Sequence, residues 1–157
     1  MKEKKLYTIG QGIDYAMNYC SKEERCQKDL KDKLLLYGMS IVETDSIIAE
    51  MISQGFVNEQ RYAELYTRSK INQNHWGRIK IKYMLSLKQI SKPCIDKAFQ
   101  GIDENKYLSV AKETLMKKNR LIHTDDEYER KMKLFQYMSS HGFENDIINN
   151  VLKELGL

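Results

Sequence analysis

Proline is almost absent from this chain, and glycine is scarce. The 157 residues include one proline and eight glycines. A β-sandwich depends on many turns, which draw heavily on both residue types, so this composition favours helices. At this length the chain suits one compact domain or a short array of repeats, and three stacked copies suit it better than two independent cores.

Cysteine is also rare, and long apolar runs are missing. The three cysteines, Cys20, Cys26 and Cys94, are an odd number and lie far apart, which does not suit a disulfide framework. This usage is typical of a reducing compartment. The charged start of the chain, Met1–Lys5, is not followed by a long apolar segment. We therefore expect a cytoplasmic protein with neither a signal peptide nor a membrane span.

One pattern of apolar residues occurs three times along the chain. Gly38, Gln89 and Gly142 occupy equivalent positions, 51 and 53 residues apart. Apolar residues recur at the same offsets around each of them, and these offsets place side chains on one stripe of the helix before the turn and one stripe of the helix after it. Each copy is therefore predicted to be a helical unit that buries its apolar face against its neighbours. The equivalent sets are Leu30, Ile81 and Leu134; Leu34, Leu85 and Met138; Met39, Ile90 and Phe143; Ile47, Ala98 and Val151; Ile48, Phe99 and Leu152; and Met51, Ile102 and Leu155.

We predict an all-α fold, an elongated tandem array of three three-helix repeats that resemble helix-turn-helix units. The expected divisions are an N-terminal tail over 1–12 and repeats over 13–57, 58–102 and 103–157. The predicted helices span about 8–24, 27–37, 42–54, 58–71, 78–88, 93–99, 104–118, 124–140 and 146–155. Gly38 and Gly55 should end helices, Asn58 should begin one, and Thr124 with Glu127 should form a capping box.

The segment Arg78–Tyr83 alternates polar and apolar residues, which alone is typical of a half-exposed strand. Register with the other copies favours a helix, and we predict one here. Ile79, Tyr83 and Leu87 then form a second apolar stripe opposite the core-facing one. We expect this stripe to pack against neighbouring repeats, with a partner-binding groove as the alternative. The predicted core comprises Leu30, Leu34, Ile47, Ile48, Ile81, Leu85, Ile95, Phe99, Leu134, Met138, Ile148 and Leu152.

Positive charge is concentrated in the middle copy. Residues 58–102 carry nine basic and three acidic side chains, a net charge of +6. Residues 13–57 carry five basic and eight acidic side chains, and residues 103–157 carry nine basic and ten acidic ones. A local surplus of this size attracts phosphates or an acidic protein surface, although solvated helix faces would also explain it.

A helix-turn-helix reading would place the third helix of each copy in the DNA major groove. The residues argue against it. Between Met39 and Gln54 there is no lysine or arginine, and between Phe143 and Leu157 a single lysine stands among three acidic residues. Two of the three would-be recognition helices would repel phosphate, so sequence-specific base recognition is not expected.

No arrangement of residues indicates catalysis. The histidines, His75, His123 and His141, have no metal-ligand spacing to the cysteines, and phosphate-binding glycine loops are missing. We expect no catalytic residue, metal site or cofactor. Trp76 is expected to cover the junction between repeats, with stacking on a base or a partner side chain as the alternative.

The order of these segments resembles the RecX family of RecA regulators. The resemblance rests on the first copy's Leu30-x3-Leu34-x3-Gly38, the junction Gly55–Ala63 and the Gly142-Phe143 pair. The most specific part is the junction, where a glycine and an aromatic residue precede Arg61-Tyr62-Ala63. The middle copy contributes Gly77-x3-Ile81-x3-Leu85-x4-Ile90-Ser91 followed by Ile95 and Ala98.

The resemblance implies a non-enzymatic, monomeric regulator in DNA repair, recombination and the SOS response. Such a protein would bind in the groove of RecA–DNA filaments and inhibit their ATP hydrolysis and strand exchange. The alternative is a protein that grips nucleic-acid phosphates nonspecifically through its basic middle repeat. The residues expected to contact the partner are, in order, Arg78, Lys82, Lys80, Arg68, Lys70, Lys88 and Trp76.

Overall fold

The computed structural model describes residues 5–157, and all regular secondary structure in that range is helical. The fold class is confirmed, and Arg78–Tyr83 is helical rather than extended. The nine helices of this range are α1 (Ile9–Lys22), α2 (Gln27–Leu36), α3 (Ile41–Ser53), α4 (Glu59–Asn74), α5 (Arg78–Leu87), α6 (Lys92–Gln100), α7 (Glu104–Leu121), α8 (Glu127–Ser140) and α9 (Asn145–Glu154).

Most helix ends follow the local signals in the sequence. Gly38, Gly55 and Gly142 have φ values of +98°, +79° and +87°, the left-handed conformation that suits a residue just after a helix. The side chain of Asn58 accepts a hydrogen bond from the backbone N–H of Arg61, as expected of an N-cap.

The prediction of a capping box formed by Thr124 and Glu127 is wrong. Asp126 begins α8, and its carboxylate accepts hydrogen bonds from the backbone N–H groups of Tyr128 and Glu129. The Thr124 hydroxyl instead accepts from the N–H of Asp126 and contacts the Glu129 carboxylate. An acidic side chain one residue before the helix outcompetes a threonine three residues before it, because it reaches two free N–H groups at once.

The predicted core is confirmed at every position except Phe99. Phe99 is only partly buried and lies at the edge of the core, whereas its neighbour Ala98 is buried. Helix α6 packs against α4. Adjacent helical residues can both be buried, as the equivalent pairs Ile47 with Ile48 and Val151 with Leu152 are, so the edge position of Phe99 depends on the packing of α6 and not on the repeat pattern.

The described residues form two hydrophobic cores. The first belongs to α1–α3 and includes Leu6 and Val57, so packed structure extends into the range that the sequence assigns to a tail. The second is shared by α4–α9 and also receives Cys26 from the loop before α2. The repeat boundaries stay a prediction, but the middle and third units share one core while the first has its own.

Candidate partner-binding surface

Helix α5 begins against the turn between α8 and α9. The first N–H groups of a helix have no partner inside it. Here the N–H of Gly77 donates to the carbonyl of His141 at 2.8 Å, and the N–H of Ile79 donates to the carbonyl of Gly142 at 3.0 Å. The N–H of Arg78 donates to the hydroxyl of Tyr107 at 3.1 Å. The following repeat therefore supplies the cap that Gly77, without a side chain, cannot provide.

Two glycines make this close approach possible. A Cβ atom on Gly77 would overlap the carbonyl group of Gly142, and one on Gly142 would overlap the backbone and Cβ of Lys80. Gly142 also needs its left-handed φ to turn the chain after α8. The start of α5 is thus fixed in position by backbone contacts to the third repeat.

Arg78 connects α5 to α7 and to the start of α9 within the protein. Its guanidinium forms ion pairs with Glu104 and, at 2.8 Å, with Glu144, and it lies 4.1 Å from the ring centroid of Tyr107. Burial alone would lower the pKa of Arg78, but the hydrogen bond to Glu144 and the charge of that carboxylate raise it above its ordinary value. The sequence-based premise that Arg78 is an exposed cation is wrong, because its side chain is only 19% exposed.

Lys88 is also paired inside the protein. Its ammonium group lies 2.7 Å from the carboxylate of Asp29 in α2, and this hydrogen bond raises the pKa of Lys88 although burial acts to lower it. The pair joins the end of α5 to the first repeat. A second ion pair of this kind joins Arg61 of α4 to Glu24, which follows α1, at 2.7 Å. Lys88 therefore fixes the far end of α5.

Lys70 and Lys80 meet at Trp76. Their ammonium groups lie 4.9 and 4.5 Å from the centroid of the Trp76 rings, and Lys70 also lies 5.3 Å from the ring of Tyr66. Trp76 itself is partly buried and packs against the core shared by α4–α9. That Trp76 covers the junction between repeats stays a prediction. The tryptophan holds two cations at one place on the surface, an arrangement that the sequence spacing did not reveal.

The remaining two candidates are Arg68 and Lys82. Both are exposed, and neither forms an ion pair with another residue between 5 and 157. Arg68 lies on the rim of a small cleft beside Ile102 and Lys106. On α4 and α5 these residues point away from Lys70 and Lys80, since two positions correspond to about 200° around a helix. The structure therefore brings only two of the candidate cations together.

The second apolar stripe is exposed. Ile79, Tyr83 and Leu87 are 57%, 63% and 51% exposed. The expectation that this stripe packs against neighbouring repeats is wrong. Helix α5 meets its neighbours through its core-facing side and through its two ends, while α4 and α7 carry the helix packing between the second and third units. The outer flank of α5 is left open to solvent.

Metal-ligand clusters and cysteines are the remaining candidates for reactive groups in the described part of the chain. No group of three or more histidine, cysteine or acidic side chains in residues 5–157 could hold a metal ion. Cys20 and Cys26 are buried and Cys94 is partly buried, and burial raises the pKa of Cys26 to about 11. A thiol with such a pKa is not a ready nucleophile. None of the described helices is long and apolar enough to span a bilayer.

Two family models match this chain. The model described as RecX, second three-helix domain, matches residues 58–98, and the one described as RecX, third three-helix domain, matches residues 105–152. A curated protein named "Regulatory protein RecX" from Clostridium beijerinckii is 27% identical over 160 residues, which are 97% of this chain and 74% of that protein. Its namesake from Clostridium acetobutylicum is 30% identical over 144 residues, 89% of this chain and 66% of that protein.

The fold agrees with these similarities. The crystal structure of RecX from Lactobacillus salivarius matches with a TM-score of 0.83 and 29% identity, and the match covers 94% of this chain and 96% of that one. The matched domains correspond to α4–α6 and α7–α9, which share one core. Because the two matched segments make up more than half of the sequence, the protein described above belongs to the RecX family of regulatory proteins.

Proposed function

We propose that this protein regulates the RecA recombinase by binding the RecA–DNA filament, where it inhibits ATP hydrolysis and strand exchange. It acts as a cytoplasmic monomer and is not an enzyme. Membership of a family of regulatory proteins supports a regulatory role. The observation that carries the proposal is the pair of lysines held on Trp76 in the one repeat with a net charge of +6.

The middle repeat presents these two lysines on a preformed surface. Helix α5 is fixed at its start by the Gly77–Gly142 contact and at its end by the Lys88–Asp29 ion pair. A surface that is already ordered loses little conformational entropy when it binds. Lys70 and Lys80 are suited to phosphate oxygens of the filament, and their charge should increase the rate of encounter.

The direct test is RecA's DNA-dependent ATPase, measured with substoichiometric amounts of this protein. We expect the rate of ATP hydrolysis to fall as the protein is added. A rate that stays unchanged up to equimolar amounts contradicts the proposal.

A second candidate is a nonspecific nucleic-acid-binding protein. The cluster of Lys70, Lys80 and Trp76 favours it, because cations beside an aromatic ring are common where single strands bind. Direct binding to phosphates should weaken steeply with salt. Tight, salt-sensitive binding to naked single-stranded DNA, without an effect on RecA, selects this candidate. Binding that requires the recombinase selects the first.

A further inference from the structure

The exposed stripe on α5 is an apolar surface that the fold does not use. Ile79, Tyr83 and Leu87 follow one another at four-residue spacing, so they lie on one face over successive turns. No other helix within residues 5–157 carries three large exposed apolar side chains in line. Because both ends of α5 are fixed to neighbouring repeats, the stripe stands on a rigid support. Aligned apolar anchors of this kind are typical of protein-docking surfaces.

The charges around the stripe limit what can cover it. Helix α5 has no acidic residue, and Lys80 and Lys82 lie on either side of the stripe, whereas Arg78 is paired with Glu104 and Glu144. Lys82 is exposed beside Tyr83 and has no ion-pair partner within the described part of the chain. A second copy that used the same stripe in a symmetric contact would place like charges against one another. A phosphate backbone would gain nothing from three apolar side chains. The complementary occupant is a protein segment that carries both apolar side chains and carboxylates.

We infer that Ile79, Tyr83 and Leu87, with Lys82 at their side, dock an apolar, acidic segment of the recombinase protein in the filament. This inference rests on the proposed function and deepens it by dividing the middle repeat into two surfaces. The stripe contacts protein, while Lys70 and Lys80 at Trp76 face phosphates. The two surfaces are neighbours on α5, since Lys80 lies about 60° around the helix from Tyr83. They can be separated by mutation because Tyr83→Ser and Leu87→Ser leave Lys70, Lys80 and Trp76 unchanged.

The experiment compares Tyr83→Ser with Tyr128→Ser. Tyr128 is a matched control, since it is 73% exposed in the first turn of α8, whereas α5 contacts the turn after the other end of that helix. Each variant is titrated against RecA filaments assembled on single-stranded DNA with a nonhydrolysable ATP analogue, and against the same DNA without RecA. We expect Tyr83→Ser to weaken filament binding at least tenfold and to leave both naked-DNA affinity and the melting temperature unchanged. Tyr128→Ser should behave like the parent.

Two further variants make the outcome specific. Leu87→Ser should reproduce the loss shown by Tyr83→Ser, and Lys82→Glu should also weaken filament binding because it would repel the carboxylates of the partner. Sedimentation of the parent protein should show a monomer. A dimer that Tyr83→Ser dissociates would make a second copy the occupant and overturn the inference.

The remaining outcomes distinguish this inference from the proposed function. If the parent binds filaments and Tyr83→Ser and Leu87→Ser bind equally well, the docking surface is wrong and the proposed function stands. If the two variants lose naked-DNA binding in proportion, the stripe belongs to a nucleic-acid site and the inference is also wrong. If the parent itself does not bind filaments, the proposed function fails, and the inference fails with it.

Discussion

The guanidinium of Arg78 lies 2.8 Å from the carboxylate of Glu144, which stands immediately before α9. The same carboxylate accepts a hydrogen bond from the hydroxyl of Tyr107, and the Arg78 guanidinium lies over the Tyr107 ring. Three residues from α5, α7 and the α8–α9 turn thus form one polar link between the second and third repeats. The cation ranked first from the sequence as a partner contact serves the fold.

Replacing Arg78 should therefore destabilise the protein. We expect Arg78→Met to lower the free energy of unfolding by about 2 kcal/mol, because Glu144 loses a charged hydrogen-bond donor in a partly buried site. Lys82→Met is the matched control on the same helix and should change the value by less than about 0.5 kcal/mol. Urea unfolding of the two variants checks this. Equal stabilities would contradict the structural role of Arg78.

The glycine contact gives a second prediction. Gly55 and Gly142 share a left-handed φ, but a Cβ atom on Gly55 would meet nothing within 4 Å, whereas one on Gly142 would overlap Lys80. Gly55→Ala should therefore cost only the backbone strain of about 1–2 kcal/mol. Gly142→Ala should cost more, because α5 must also move away from the turn. Thermal unfolding measures both, and similar losses would show that the close approach contributes nothing.

Glu59 provides a prediction on pH dependence. Its Oε2 atom is buried and has no hydrogen-bond partner within residues 5–157, and its carboxylate accepts a hydrogen bond from the N–H of Gln27. Burial raises the pKa of Glu59 above its ordinary value, despite that hydrogen bond. A raised pKa means that the folded protein favours the protonated carboxyl over the carboxylate. This contribution to stability is fully present below the pKa of Glu59 in the unfolded chain, and it is lost as the pH rises through its pKa in the folded protein.

Glu59→Gln should accordingly raise the free energy of unfolding at about pH 7, and the gain should shrink towards about pH 4, where the carboxyl of the parent is largely protonated. The glutamine oxygen can still accept the N–H of Gln27. Denaturant unfolding of the parent and the variant at both pH values is the measurement. A gain that is the same at both values would show that ionisation of Glu59 is not its cause.

Part of this architecture could be predicted from the sequence. Leu30, Ile81 and Leu134 are equivalent in the repeat and all buried, because a helix fixes which residues share a face. The helix ends at Gly38 and Asn58 also depend on local chemistry alone. Periodicity shows that Ile79, Tyr83 and Leu87 form a stripe, but it does not show whether a neighbour covers them.

The candidate site was less predictable, because its determinants are contacts between distant residues. The partner of Arg78 lies 66 residues further along the chain, and the partner of Lys88 lies 59 residues earlier. A count of charged residues along the sequence does not distinguish a cation that is paired inside the protein from one that is free to contact a partner. The start of α2 follows the same rule as the start of α5: Cys26 offers no side-chain cap, and Glu59 of the next repeat accepts the N–H of Gln27. Only the packed repeats reveal this.

A contact between the Trp76 lysines and the filament is tested by RecA's DNA-dependent ATPase at low ionic strength, with the parent protein and with the double variant Lys70→Glu/Lys80→Glu. The control is Lys131→Glu/Lys153→Glu, which makes the same change in net charge at exposed sites on α8 and α9. Unfolding curves should confirm that the variant stays folded. Each of the two contacts with the Trp76 ring contributes about 0.5–1 kcal/mol to the free energy of unfolding, and the double variant should lose no more than these two contributions. We expect the parent and the control to inhibit the ATPase and Lys70→Glu/Lys80→Glu to inhibit at least tenfold more weakly. Equal inhibition by all three proteins would show that Lys70 and Lys80 do not contact the filament.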